Sequence, residues 1–275
     1  DAFYVDDVQY SYDTDAPTIS KDASIAGIGW NEGRLAGMSS KVTIGVKNNI
    51  GDVMNSAVVR LTYNGVDYLE TLSDLGVPVG ETYWFDFPET ITLAKGTAKF
   101  EAAVVEINGE AGDDFSCNDS RTYSFEAVQP APDKSVLVEE GTGTWCQWCP
   151  RGDVFMNLMT ERYPDYFVPV AVHNGDPMVV SAYDLNVGYF PGFEGYPSVI
   201  VNRSTVTDPA EMETPILDRV GNSPVAKLSN DASYDEGTRT LDITVTAEFM
   251  DDIDGDYRIL AVVTEDSVTG TGSDY

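Results

Sequence analysis

The sequence predicts a multidomain, β-rich chain. Residues 1–128 are expected to form a β-sandwich, 134–222 an α/β domain and 223–275 a further β-rich segment, with 129–133 as a linker. Three observations carry this. Before residue 129, short runs of β-branched and aromatic residues recur between turn signals. From 134 to 222, buried strand patterns alternate with helical ones. After 223 the period returns to two.

In the first block the strand patterns are residues 3–10, 41–47, 56–63, 81–87, 99–107 and 121–128. In 41–47, Val42, Ile44 and Val46 share one face. Asn64-Gly65 stands between two such runs and marks a two-residue hairpin, and Asn108-Gly109 marks a second. Six or seven short strands in this length suggest an immunoglobulin-like sandwich. Gln129-Pro130-Ala131-Pro132-Asp133 is Pro-rich and extended, which places a boundary there.

In the second block a strand over 136–140 is followed by a helix running to about Tyr163 and stopped by Pro164. Residues 167–173 form a second buried strand, 179–189 a helix broken at Pro191 and Gly192, 197–202 a third strand and 212–220 a last helix. This alternation implies parallel pairing and a sheet covered on both faces. In the third block, 225–234, 240–249 and 257–265 read as strands, with Asp254-Gly255 as the turn between the last two. Three strands are too few to stand alone, so they are expected to pack on the central domain or to continue beyond the segment given.

Composition narrows the function. With 46 acidic and 16 basic residues the net charge is −30, which opposes nucleic-acid binding. An apolar share of 42% supports real cores. No apolar run reaches the length of a membrane span, and Asp1-Ala2-Phe3 does not open a signal peptide, so the protein is expected to be cytosolic or already relieved of a leader. Three cysteines are too few for a disulfide scaffold, and Cys117 reads as a small buried residue or a free thiol.

The chemistry centres on Trp145-Cys146-Gln147-Trp148-Cys149-Pro150, which lies where a buried strand hands over to a helix. A helix start carries partial positive charge and favours the thiolate, the reactive form of cysteine. A dithiol/disulfide pair is expected, with Cys146 exposed as nucleophile and Cys149 resolving the mixed disulfide. The competing readings are half of a zinc site, a haem attachment site and an inert structural disulfide. Zinc lacks a second ligand pair, and Pro150 stands where haem attachment needs histidine. No metal and no cofactor other than the disulfide itself is expected. Glu140 ends the first strand and is a candidate to take the proton of Cys149, with Glu139 competing for the role. His173, the single histidine, ends the second strand, where α/β sheets build their sites. It is expected either near the thiols or bound to a neighbouring carbonyl. Tyr196-Pro197 opens the third strand and suits a cis peptide facing the pair, with a trans turn as the alternative. Asp252, Asp254 and Asp256 read as a hairpin tip rather than a calcium loop.

The strand, Trp145-Cys146-x-x-Cys149 and the Tyr196-Pro197 strand start together resemble a thioredoxin fold. The stretches Glu139-Glu140-x-Thr142-Gly143-Thr144-Trp145-Cys146-x-Trp148-Cys149-Pro150-Arg151-Gly152, Val172-His173-x-Gly175-Asp176-Pro177-Met178 and Gly195-Tyr196-Pro197-x-x-x-x-Asn202-Arg203 are similar to the outer-membrane-protein-twenty-eight family of Bacteroidetes. One departure is Gly141, where such sequences usually carry an aromatic residue. The resemblance implies a thioredoxin-like central domain. It also implies export to the periplasm or outer surface, often as a lipoprotein anchored outside the segment considered. Glu140, six residues before Cys146, matches the acid of the thioredoxin pattern. Trp145, Trp148, Tyr196 and Pro197 are the expected substrate-facing residues, and the expected partners are exported polypeptides or a redox partner protein. An adhesin or receptor role without catalysis is the alternative the family allows.

Overall fold

A computed structural model describes residues 19–266, 268 and 269. The strand expected over 3–10 lies outside the described residues. The chain is mostly β-sheet and forms two compact units. Among the described residues, one comprises 19–31, Ser39–Thr92 and Thr97–Phe125. The other comprises Glu32–Met38, Leu93–Gly96 and the described residues from Glu126 onward.

The first unit holds two sheets. Strands β1 (Asp22–Trp30), β2 (Ser39–Ile50) and β5 (Thr82–Thr92) form one, in the order β1-β2-β5. The other runs β4-β3-β6-β7, made from β3 (Ala57–Tyr63), β4 (Val66–Leu72), β6 (Gly96–Ile107) and β7 (Glu110–Ala111), with β8 (Ser120–Ala127) also on β6. Inward residues Ile44, Val46, Val59, Leu61 and Phe100 are buried, and Trp30 of one sheet stacks on Phe100 of the other at 5.7 Å. Strand β1 carries little β signal because it holds Gly27 and Gly29. Gly27 and Gly45 lie in one cross-strand row with Trp84, and a Cβ on either would fall within 3 Å of its indole.

The second unit centres on a four-stranded sheet ordered β10-β9-β11-β12: β9 (Val136–Thr142), β10 (Phe167–His173), β11 (Ser198–Val201) and β12 (Thr205–Thr207). Helices α1 (Cys149–Arg162) and α3 (Glu213–Val220) pack Met156, Met159 and Ile216 against Val136, Val138, Val199 and Val201 on one face. Helix α2 (Ser181–Gly188) supplies Val187 and Tyr183 to the other, against Val172 and Ile200. Helix α1 turns Cys149, Gly152, Met156 and Met159 inward and leaves Val154 exposed.

One expectation is corrected here. Only β10 runs parallel to β9, whereas β11 is antiparallel to it, pairing Ser198 with Gly141 and Val201 with Val138. The chain re-enters the sheet at the carboxyl end of β9. That polarity, and not a parallel crossover, brings Pro197 to the end of the sheet where the cysteine loop leaves.

The third-block expectations hold for two strands only. Strands β13 (Ala226–Asp235) and β14 (Thr240–Phe249) pair antiparallel through ten rungs. Residues 257–265 form no strand and are exposed, so no hairpin closes at Asp254-Gly255. Among the described residues their strand-like composition meets no partner edge to supply the ladder hydrogen bonds a strand needs. Within this unit Lys227 reaches Asp133 at 2.8 Å. No helix among the described residues is long and apolar enough to cross a membrane.

Candidate functional site

Strand alternation sends the two adjacent glutamates to opposite faces of β9. Glu139 points toward α2 with no exposed surface, where it accepts from Arg203 and from the Tyr183 hydroxyl. The Arg203 guanidinium lies 5.5 Å from the centroid of the Tyr183 ring. Burial, followed by the Glu139 hydrogen bond and charge, pushes the Tyr183 phenol up to about 12. Asn202 and Arg203 both take left-handed backbone in the β11–β12 turn, with Ser204 N–H donating to Val201 O. This local strain aims Arg203 at Glu139. Glu139 is thereby ion-paired on the face of β9 opposite α1.

Glu140 points the other way, toward the first turn of α1. It is buried, and its Oε1 has no hydrogen-bond partner among the described residues. A Cβ on Gly152 would stand 1.8 Å from that Oε1 and 3.2 Å from Cβ of Pro197. Glu140, Gly152 and Pro197 therefore converge. Gly152 follows Cys149 by three residues on one helical face, so the carboxyl meets α1 within a turn of the second cysteine of the motif. Burial pushes Glu140 up to about 7, and the charge of Asp153 adds to the effect. Gly152→Ala must displace this carboxyl or the helix. A loss of about 1–3 kcal/mol in urea unfolding is expected, against no loss if the carboxyl sits elsewhere.

Cys146 and Cys149 are joined by a disulfide with Cα atoms 5.4 Å apart. Two expectations need correction. Helix α1 starts at Cys149, with Trp148 as N-cap and Pro150 in the first turn, so Cys146 lies in the turn before it. Proline suits a first helical turn because its missing N–H has no partner to lose there. Cys146 is also buried, at 7% exposure, against 4% for Cys149. The Cys146 N–H donates to Gly143 O, which tucks the residue inward. The flanking Trp148 is open at 74% and Trp145 at 54%. Cys117 is a free thiol and exposed, not a core residue.

The Tyr196–Pro197 peptide is cis. Tyr196 packs edge-on against Trp145, with centroids 5.5 Å apart, and against Phe193 at 5.1 Å. The Phe193 ring occupies the space above Gly141, where a Cβ would stand 2.5 Å from it. An aromatic ring thus covers that point of β9 although residue 141 carries none.

His173 ends β10 level with Thr142, and its Nδ1 lies 2.6 Å from Asp176 Oδ2. Its partner is a carboxylate rather than the carbonyl considered from sequence. Asp176 also accepts from Thr144 N–H and Met178 N–H. Burial raises its pKa, but these hydrogen bonds outweigh that and hold the carboxyl below its usual range. The Trp145 indole N–H donates to Asn174 O, and the Asn174 side-chain amide donates to Asp184. Sequence reasoning did not assign roles to Gly152, Asp176, Asn174 or Arg203, although the first, second and last lay inside the quoted motifs.

No family model matches the chain, and no curated protein does. Among solved structures it is similar to the CARDB domain of the PF1109 protein from Pyrococcus furiosus, crystallised in complex with di-metal ions. The identity is 21%, over 43% of this chain and 100% of that one, with a TM-score of 0.33. A solution NMR structure of the same domain matches at 20% identity over 40% and 98%, also with a TM-score of 0.33.

Proposed function

We propose that the chain is an exported thiol–disulfide oxidoreductase or isomerase acting on exported polypeptides, with a thioredoxin-like domain around β9 as its working part. The observation that carries this reading is the convergence of Glu140, Gly152 and Pro197 on the helical turn that begins at Cys149. In this reading the Cys146 thiolate attacks a substrate disulfide. One substrate sulfur bonds to Cys146 and the other leaves as a thiolate that takes a proton. Glu140 then accepts the proton of Cys149, whose thiolate attacks Cys146 Sγ. The Cys146–Cys149 bond forms as the bond from Cys146 to the substrate breaks. The second substrate sulfur leaves as a thiolate that takes the proton held by Glu140, and the substrate has gained two electrons and two protons. A redox partner protein reverses the sequence to restore the dithiol. Trp145, Trp148 and Tyr196 wall the approach, and Pro197 holds the visiting chain. Kinship with the outer-membrane-protein-twenty-eight family belongs to the same reading. So does residence in the periplasm or at the outer surface, by way of a lipid anchor outside the segment considered.

Refolding of a scrambled disulfide protein tests it. The wild type is expected to accelerate recovery and Cys146→Ser to abolish the gain. Equal rates would reject catalysis.

A second reading has one observation in its favour, the burial of Cys146. In that reading the disulfide staples a surface binding module and does not exchange.

A further inference from the structure

We propose that Asp176 is the positioning residue of the dithiol loop, holding Cys146 in its disulfide-forming place through Thr144 and fixing the proton of His173 on Nδ1. The proposal rests on the redox reading of Cys146 and Cys149. Its own ground is a chain of contacts that the reaction scheme does not use.

The Asp176 side chain is 1% exposed. A carboxylate buried this deeply must be met by donors. Its donors come from three directions. Met178 N–H, at 2.9 Å, closes its own turn. His173 Nδ1 approaches from β10 at 2.6 Å. Thr144 N–H, at 3.0 Å, comes from the loop that leaves β9. The last is the only one belonging to the cysteine segment. Thr144 stands two residues before Cys146, and Gly143 O accepts the Cys146 N–H at 3.0 Å. A second tie runs alongside, from the Trp145 indole N–H to Asn174 O at 2.6 Å. The loop over 142–146 is thus fastened to the loop over 173–178 on both sides of Thr144.

Two consequences follow. A carboxylate that accepts from imidazole Nδ1 selects the tautomer with hydrogen on Nδ1 and leaves Nε2 as the basic nitrogen. His173 keeps 22% of its side chain exposed. The hold on Thr144 also belongs to the conformation in which the two cysteines are bonded. We take this hold as weaker once the cysteines are reduced, and a contact made more strongly in the disulfide form favours the disulfide over the dithiol.

The measurement is the equilibrium in which the protein disulfide and two glutathione molecules give the protein dithiol and oxidised glutathione. Asp176→Asn removes the charge and replaces one acceptor oxygen by an amide donor. The equilibrium is expected to move about tenfold toward the dithiol, the scale of one lost charge-assisted hydrogen bond. A merely structural role would lower the melting temperature without moving it. An equilibrium within twofold of wild type in a folded variant would overturn the proposal. If the variant does not fold, the wild type still decides. The Thr144 amide should exchange slowly with solvent, and 15N spectra of the single histidine should show a protonated Nδ1. A freely exchanging Thr144 amide or a protonated Nε2 tautomer would refute it. Should the wild-type disulfide refuse to exchange with glutathione at all, the redox reading itself falls. Exchange in wild type with an unmoved variant removes only the role of Asp176.

Discussion

Arg203→Met is expected to cost about 3–5 kcal/mol of stability in urea unfolding at neutral pH, because it leaves the Glu139 carboxylate charged and unmatched. Glu139 has no exposed surface, and Arg203 is the cation that meets it. Tyr183 remains as a hydroxyl donor, but one neutral hydrogen bond does not offset a desolvated charge. The substitution also removes a guanidinium stacked on the Tyr183 ring. The partner variant separates these contributions. Glu139→Leu combined with Arg203→Met has no charge left to strand, and it should recover most of the loss. A cost below about 1 kcal/mol for Arg203→Met alone would mean that Glu139 is not held as described.

The second large effect is a change with pH. Burial raises Glu140 from an ordinary 4.5 to about 7, so the folded chain holds its proton more tightly than the unfolded chain does. Stability is then fully present below about pH 4.5 and is lost as pH rises through 7. The loss over that window is about 3 kcal/mol. Glu140→Gln does not titrate. Whatever its stability at pH 4, its advantage over wild type is expected to grow by about 3 kcal/mol at pH 8. A parallel pair of pH profiles would show that Glu140 is solvated or paired. On the proposed redox reading, in which Glu140 accepts the proton of Cys149, the variant is also expected to slow thiol–disulfide exchange.

Much of this site is legible from residue order, for a physical reason. Strand period and helix period are local properties, so Val136–Thr142, Phe167–His173 and α1 follow from side-chain spacing alone. The division between Glu139 and Glu140 is implicit in the alternation of β9, but its outcome depends on partners 44 and 64 residues away. Chain direction is not local either. The alternation of strands and helices implied a parallel β11, yet the antiparallel pairing is what carries Pro197 to the cysteine end of the sheet. Asp176 stayed hidden because an aspartate before a proline reads as an ordinary turn residue. Its role appears only when Thr144 is brought beside it. Strand β1 stayed hidden because its glycines serve an indole from another strand, and glycine weakens every local strand signal. Residues 257–265 show the converse: strong local propensity without a neighbouring edge makes no strand.

The central claim is that the Cys146–Cys149 bond opens and closes in the folded protein, with the buried Cys146 accessible to an incoming thiol. Titration of the native protein with a glutathione redox buffer, followed by acid quench and thiol alkylation, tests it directly. The account predicts a reversible two-electron transition while the near-ultraviolet circular dichroism stays native, with a mixed disulfide trapped on Cys146 when Cys149 is changed to serine. A disulfide that survives excess reductant and opens only in concentrated urea would contradict it, and would leave the pair as a staple in a binding module.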